Sequence, residues 1–244
     1  KALINRLKYS SSNDKSNNLV IGVISLMSDS DTNNFLDFFI RNIKKFGSIN
    51  VIDEKNTSAN EDLFNLEILI ENIISKTNFL ILKSNDLNNT EWKSNILQYS
   101  DKVLIIGNQP DLKNLSNEEQ IIFNNYQDID LKKLSLVINH AGDTKIPGDT
   151  KTIKSMRKDI KTFHLKEISA LDVGRIVRFI TGNTIGLVLG GGGAKGFSHL
   201  GIYKAMNELN IPIDVIGGTS AGSIIAAQIA LGLEIDEIIR LNKS

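Results

Sequence analysis

Two hydrophobic patterns alternate along this chain: short, nearly continuous apolar runs, and longer stretches in which apolar residues recur every third or fourth position. Leu19 to Leu26 is a run of the first kind, of a length that fits a strand buried on both faces. Phe35, Leu36, Phe39, Ile43 and Phe46 then line one side of a helix, which Gly47 is expected to end as a left-handed C-cap. Ile49 to Ile52 reads as the next strand. Ser58 and Glu61 form a capping box ahead of the helical face Leu63, Leu66, Ile70, Ile73 and Ile74. Asn78 to Lys83, Lys102 to Ile106 and Leu134 to Ile138 continue as strands, with helices expected over Glu91 to Tyr99 and Glu118 to Asn125. Strands separated by helices require right-handed crossovers and a parallel sheet covered on both faces. Residues 19–168 are therefore expected to form one doubly wound α/β domain of Rossmann or P-loop-like class. A polar linker, residues 1–18, precedes it, and a connecting helix over residues 169–182 closes at Gly182.

Residues 183–244 repeat the strand and helix alternation with different punctuation. The strand Ile185 to Leu189 breaks into four glycines, Gly190 to Gly193, followed by Ala194, Lys195 and Gly196. From Ala194 to Leu209 the residues Phe197, Leu200, Ile202, Ala205, Met206 and Leu209 fall at helical spacing, so the glycine turn feeds the start of a helix, where backbone N–H groups are free to meet an anion. A second strand, Ile213 to Ile216, leads into Gly218-Thr219-Ser220-Ala221-Gly222 and the apolar helix Ser223 to Leu231. A serine flanked by glycines between a strand and a helix stands on a crowded turn that projects its Oγ above the sheet edge. Ser220 is accordingly the candidate nucleophile. The neighbouring glycine loop delivers backbone N–H groups to the same edge, where an acyl-transfer oxyanion would develop.

The run Gly191-Gly192-Gly193-Ala194-Lys195-Gly196 followed by Gly218-Thr219-Ser220-Ala221-Gly222 closely resembles the opening of the patatin-like phospholipase domain. The wording IGLVLGGGGAKGFSHLGI and IPIDVIGGTSAG looks most like the branch of neuropathy target esterase and its bacterial relatives. Asp86, Trp92, Asp101 to Ile106, His140, Pro147 and Thr150 are similar to that branch's region ahead of the patatin domain. The resemblance implies that residues 183–244 are the first part of a patatin-like α/β hydrolase domain. It also implies a serine–aspartate dyad without a catalytic histidine, with Ser220 as nucleophile and Gly191, Gly192, Gly193 and Ala221 at the oxyanion hole. Lys195, Gly196, Gly218 and Gly222 complete the two motifs. The family's aspartate lies in a later Asp-Gly-Gly or Asp-Gly-Ala motif, which residues up to Ser244 do not contain. The chain is thus expected to be an internal piece of a longer protein, inactive alone. The implied substrate is a phospholipid or lysophospholipid, with no cofactor and no metal. The implied setting is the cytoplasm or the cytoplasmic face of a membrane, held by peripheral contact. Cyclic-nucleotide-binding domains are expected upstream of the chain.

Composition narrows the rival readings. Twenty-eight Lys and Arg balance 28 Asp and Glu, so bulk charge gives no footprint for a nucleic-acid binder. There is no cysteine, which removes disulfides and thiolate metal sites. His140, His164 and His199 show no metal-ligand spacing, and no apolar stretch has the length of a membrane span. Where a P-loop would stand after the first strand, the chain has Met27-Ser28-Asp29-Ser30-Asp31, whose acidic residues suit a nucleotide phosphate poorly. A dinucleotide site at Gly191-x-Gly193-x-x-Gly196 would need its acidic residue at the far end of the second strand, but Asp214 falls at the near end. His199 is open as a base or as a packed helix residue, and Lys195 as a lipid-phosphate contact or a solvated side chain. His140 and His164 read most simply as surface or strand-end residues, and Trp92 as helix packing. The second function class is a catalytically incomplete regulatory or interaction module.

Overall fold

A computed structural model of the chain describes residues 18–57, 64–84, 89–117, 119–120, 130–140, 150–157 and 160–242. The polar tail up to residue 17, the capping box at Ser58 and Glu61, Asp86, Pro147 and most of the helix expected over Glu118 to Asn125 lie outside the described residues. The chain divides into two compact units, Lys1–Thr181 and Gly182–Ser244.

In the first unit the apolar runs become β1 (Leu19–Ser25), β2 (Ile49–Ile52), β3 (Phe79–Ser84), β4 (Lys102–Asn108) and β5 (Leu134–Asn139), joined by a further strand, β6 (Lys161–Leu165). They lie in the order β2-β3-β1-β4-β5-β6, and each neighbouring pair is parallel. Among the described residues the helices include α1 (Asp29–Ile43), α2 (Glu54–Thr57), α3 (Phe64–Ile74), α4 (Thr90–Tyr99), α5 (Thr150–Ser155) and α6 (Ala170–Thr181). Successive side chains of a strand point to opposite faces, so β1 feeds two cores. Val20 and Ile24 pack with Leu80, Leu82, Ile105 and the α3 and α4 residues Ile70 and Ile96. Ile21 and Val23 pack with Leu104, Val137 and the α1 and α6 residues Phe35, Phe39 and Ile176. This is the expected doubly wound parallel sheet with helices on both faces. The helix read as a connector, α6, buries Val173, Ile176 and Val177 in the second of these cores.

The pattern gives no warning of β6. Only Phe163 and Leu165 of its five residues are buried, and it pairs with β5 alone, at the edge of the sheet. Gly47 also differs from expectation. Helix α1 ends at Ile43 with Lys44 still right-handed, and Gly47 is not among the positive-φ residues. Space demands the glycine instead: a Cβ would come within 2.7 Å of the Asn78 side chain. Asn78 Oδ1 accepts from Ser48 N at 3.0 Å and from Ser48 Oγ at 2.9 Å, so it has little room to yield.

Arg157 is fully buried beyond α5 and acts as a bolt. Its Nε and Nη2 donate to the two carboxylate oxygens of Glu119 at 2.6 and 2.8 Å, while Nη1 donates to the carbonyls of Leu112 and Ile153, both at 3.0 Å. Glu119 in turn closes a capping box with Ser116, whose N–H donates to Oε2 at 3.1 Å.

His140 and His164, read from the sequence as surface or strand-end residues, meet across β5 and β6. His140 Nε2 and His164 Nδ1 are hydrogen-bonded at 3.0 Å, and His140 Nδ1 faces Gln109 Oε1 at 3.0 Å. Burial holds the pKa of His140 below the ordinary histidine value, and burial, His140, Arg175 and Lys154 do the same for His164. A depressed folded-state value means that the native protein resists a proton the unfolded chain accepts. The pair's contribution to stability is thus complete above the ordinary histidine value and is lost as pH falls through the lowered folded values. Urea denaturation is expected to show a smaller loss of stability between pH 7.5 and pH 5.5 in His164→Asn than in the wild type. Equal losses would remove the pair from the pH response.

Candidate active site

The second unit begins with β7 (Gly186–Leu189), which pairs in parallel with β8 (Val215–Gly218). Asp214 anchors the entry side: Ile185 N donates to its Oδ2 at 3.0 Å, and its own N–H donates to Ile185 O at 2.9 Å. At the exit side Thr219 N donates to Leu189 O at 3.0 Å, so the glycine loop and the serine turn leave the sheet side by side. Asp214 therefore lies at the opposite end of the strands from the glycine loop, which is not where a dinucleotide ribose would be read.

Ser220 has φ 50° and ψ −129°, one of two non-glycine residues with positive φ among the described residues. Positive φ is uncommon for an L residue, and strain of this kind persists where the surroundings over-determine it. The surroundings here are tight. A Cβ on Gly218 would meet Gly222 O at 2.5 Å, and one on Gly222 would meet Leu189 O at 2.4 Å and Gly190 O at 2.5 Å. Helix α7 (Ser198–Glu208) precedes β8, and α8 (Ala221–Ala230) starts directly after Ser220, placing the positive end of its dipole behind the hydroxyl. A final helix, α9 (Ile235–Asn242), packs Ile238 with Leu189, Leu200 and Ile225. Ser220 is exposed, and among the described residues its Oγ has no hydrogen-bond partner.

The glycine loop lies across the serine. A Cβ on Gly191 would come within 3.1 Å of Ser220 Cβ, and one on Gly196 within 2.9 Å of Ala221 Cβ. Gly192 and Gly193 have φ of 155° and 56°, open to glycine and strained for other residues. The loop enters a 3₁₀ turn over Gly193–Phe197 before α7, one turn later than the sequence pattern indicates. Of the four residues read as oxyanion donors, Gly191 has its N–H committed to Thr219 Oγ1 at 3.1 Å, so it contributes clearance rather than a donor. Gly192, Gly193 and Ala221 stand at turn and helix starts, where N–H groups lack an intrahelical acceptor. Lys195 is exposed on the 3₁₀ turn.

His199 packs onto the glycine loop. Its Nε2 donates to Gly190 O at 2.8 Å, and its Nδ1 is buried without a partner among the described residues. The sequence reading missed this contact. A histidine one turn beyond a glycine loop is the only signal of it, and spacing alone does not say which carbonyl it meets.

The loop Met27 to Asp31 is a capped helix start, with Asp31 N donating to Ser28 Oγ at 3.3 Å and Asp29 and Asp31 in the first turn of α1. It borders an open cavity of about 620 Å³ lined by Ser25, Thr32, Asp53, Lys83 and Ser84 among others. Trp92 is buried in helix packing, its Nε1 donating to Lys83 O at 2.8 Å. Among the described residues no group of three or more His, Asp or Glu is placed to hold a metal ion. No helix among them is long and apolar enough to cross a membrane.

A serine on a strained strand-to-helix turn beside a glycine loop is the kind of seat on which α/β hydrolases present a nucleophile. Residues 187–243 match the sequence model of the Patatin-like phospholipase family, and the chain is similar to proteins of the neuropathy target esterase branch. Patatin-like phospholipase domain-containing protein 6 of Mus musculus is 34% identical over 176 residues, taking in 61% of this chain and 13% of that protein. Lysophospholipase NTE1 of Pyricularia oryzae is 49% identical over 72 residues, 30% of this chain and 5% of the relative. Neuropathy target esterase sws of Drosophila persimilis is 55% identical over 56 residues, 23% of this chain and 4% of the relative. The chain thus spans a small part of each of these relatives. Among solved structures, a ParA family ATPase from Chlorobium tepidum TLS covers 69% of this chain and 96% of its own at 10% identity and a TM-score of 0.41.

Proposed function

We propose that this chain carries the nucleophile and the oxyanion loop of a patatin-type carboxylic ester hydrolase acting on phospholipids or lysophospholipids. The observation that carries the reading is Ser220 at φ 50° between β8 and α8, with the Gly190–Gly193 loop across it. Ser220 Oγ attacks the acyl carbonyl, and its proton passes to the aspartate of a Ser–Asp dyad, which the family resemblance puts outside these residues. The N–H groups of Gly192, Gly193 and Ala221 receive the oxyanion, helped by the α8 dipole. Collapse of the tetrahedral intermediate expels the lysolipid or glycerol-phosphate alcohol. Water then cleaves the acyl-enzyme and releases the fatty acid. The lipid substrate calls for peripheral contact with a membrane surface.

A second reading draws support from exposed apolar surface on the second unit, where Val188 and Leu231 are 81% and 76% exposed. On that reading residues 1–244 serve as a regulatory or interaction module, and hydrolysis needs groups supplied from elsewhere. A fluorophosphonate serine probe separates the two. In the intact protein it is expected to label the peptide bearing Ser220, located by mass spectrometry, and to fail on Ser220→Ala. Residues 1–244 alone are expected to stay unlabelled. An intact protein that takes no label, or takes it on another serine, would refute the hydrolase reading and favour the module.

A further inference from the structure

The peptide unit joining Gly190 to Gly191 is held at both of its polar atoms. Its carbonyl accepts from His199 Nε2 at 2.8 Å, and its N–H donates to Thr219 Oγ1 at 3.1 Å. A peptide is planar and its C=O and N–H point in opposite directions. The two bonds therefore fix the rotation of the plane from two sides, and a flip would break both. This matters because the following residues, Gly191 to Gly193, are glycines whose backbones have the widest choice of φ and ψ. The first fixed plane in such a run sets where the next N–H groups point.

The geometry points to His199 as a positioning residue of the site, acting with Thr219 to clamp the Gly190–Gly191 peptide and so to aim the N–H groups of Gly192 and Gly193 at the oxyanion. The inference rests on the hydrolase reading for its catalytic consequence, and on the two hydrogen bonds alone for the clamp. Three details support it. A carbonyl only accepts, so His199 Nε2 carries the proton and is not free to take one from Ser220. Nδ1 is buried and unpartnered among the described residues, a cost that a residue with no task at Nε2 would have no reason to carry. Thr219 is also the residue before Ser220, so the clamp ties the loop to the nucleophile's own turn, where Gly191 already lies against Ser220 Cβ.

The test compares His199→Leu, which removes the donor, with His199→Gln, whose side-chain amide offers an N–H at similar reach. Turnover of a lysophospholipid is measured in the intact protein. Misplaced donors cost catalysis more than binding, so His199→Leu is expected to lower kcat by roughly 10- to 100-fold with KM nearly unchanged. His199→Gln is expected to recover most of the loss. Thr219→Val, but not Thr219→Ser, is expected to repeat the effect from the other end of the peptide. The double variant His199→Leu/Thr219→Val should fall less than the product of the single effects, because both release one plane. Amide hydrogen exchange at Gly191 and Gly192 reads the clamp without turnover and should speed up in His199→Leu and Thr219→Val only. Unchanged kcat and unchanged exchange in both variants would overturn the clamp. Faster exchange in a protein that hydrolyses nothing would keep the clamp and refute the hydrolase reading. If His199→Leu does not fold, the Thr219 pair decides alone.

Discussion

Replacing Ser220 with glycine is expected to abolish ester hydrolysis and at the same time to make the second unit more stable. The two effects have one origin. Ser220 sits at φ 50° and ψ −129°, backbone space in which an L residue carries roughly 1–3 kcal/mol of strain. Glycine adopts these angles without a Cβ penalty but gains freedom in the unfolded chain, which costs about 0.5–1 kcal/mol. Relief of strain outweighs that entropy loss, so Ser220→Gly should raise stability by about 1 kcal/mol. Ser220→Ala keeps the Cβ and the strain, and should lose activity without gaining stability. The pair of variants separates the hydroxyl's chemistry from the strain of its seat. Amide exchange protection along α8 measures the stability, and fatty-acid release from a lysophospholipid measures the activity. A glycine variant no more stable than the alanine variant would mean that the turn is not strained. A variant of either kind that still hydrolyses would remove Ser220 as nucleophile.

Much of this site is legible in the sequence because its constraints are local. Gly218, Ser220 and Gly222 lie within five consecutive residues of one turn, and the clearances of 2.4 and 2.5 Å that exclude a Cβ arise from that turn and its neighbouring strand. The six-stranded sheet is legible nearly as well, since strands buried on both faces must be written as apolar runs. What escapes reading depends on where distant segments meet. Strand β6 lies at an edge, so only two of its residues needed to be apolar. The His140–His164 contact joins residues 24 positions apart, and the Arg157–Glu119 pair residues 38 apart. Neither has a periodicity to announce it. Gly47 reads as the right element with the wrong cause: its position follows a helix, but the need for glycine comes from Asn78, on the far side of a strand and two helices. His199 is the intermediate case, local in sequence yet assigned only by the carbonyl it meets.

Arg157→Leu is expected to be the most damaging single change in the first unit. It removes the hydrogen bonds to Glu119, Leu112, Ile153 and Asn114 at once and leaves the Glu119 carboxylate buried, with Ser116 N as its remaining donor in the capping box. Breaking a buried ion pair from one side costs about 3–5 kcal/mol, a large part of the roughly 5–15 kcal/mol that holds a domain folded. Glu119→Leu should cost a similar amount by stranding the guanidinium, although Arg157 would keep its bonds to the carbonyls of Leu112, Ile153 and Asn114. The informative variant is the double Arg157→Met/Glu119→Leu. Removing both charges removes the stranded one, so the double variant should lose less than the two single losses added together. It should not return to wild type, because the carbonyls of Leu112, Ile153 and Asn114 and the capping N–H of Ser116 lose their partners. Trp92 is the chain's one tryptophan and is buried in the same core as Ile153, so its fluorescence in urea reports this unit directly. Single variants within about 1 kcal/mol of wild type, well short of the cost of a broken buried pair, would show that water reaches the pair. A double variant equal to the sum of the singles would show that the arginine matters for its carbonyl bonds and not for its charge.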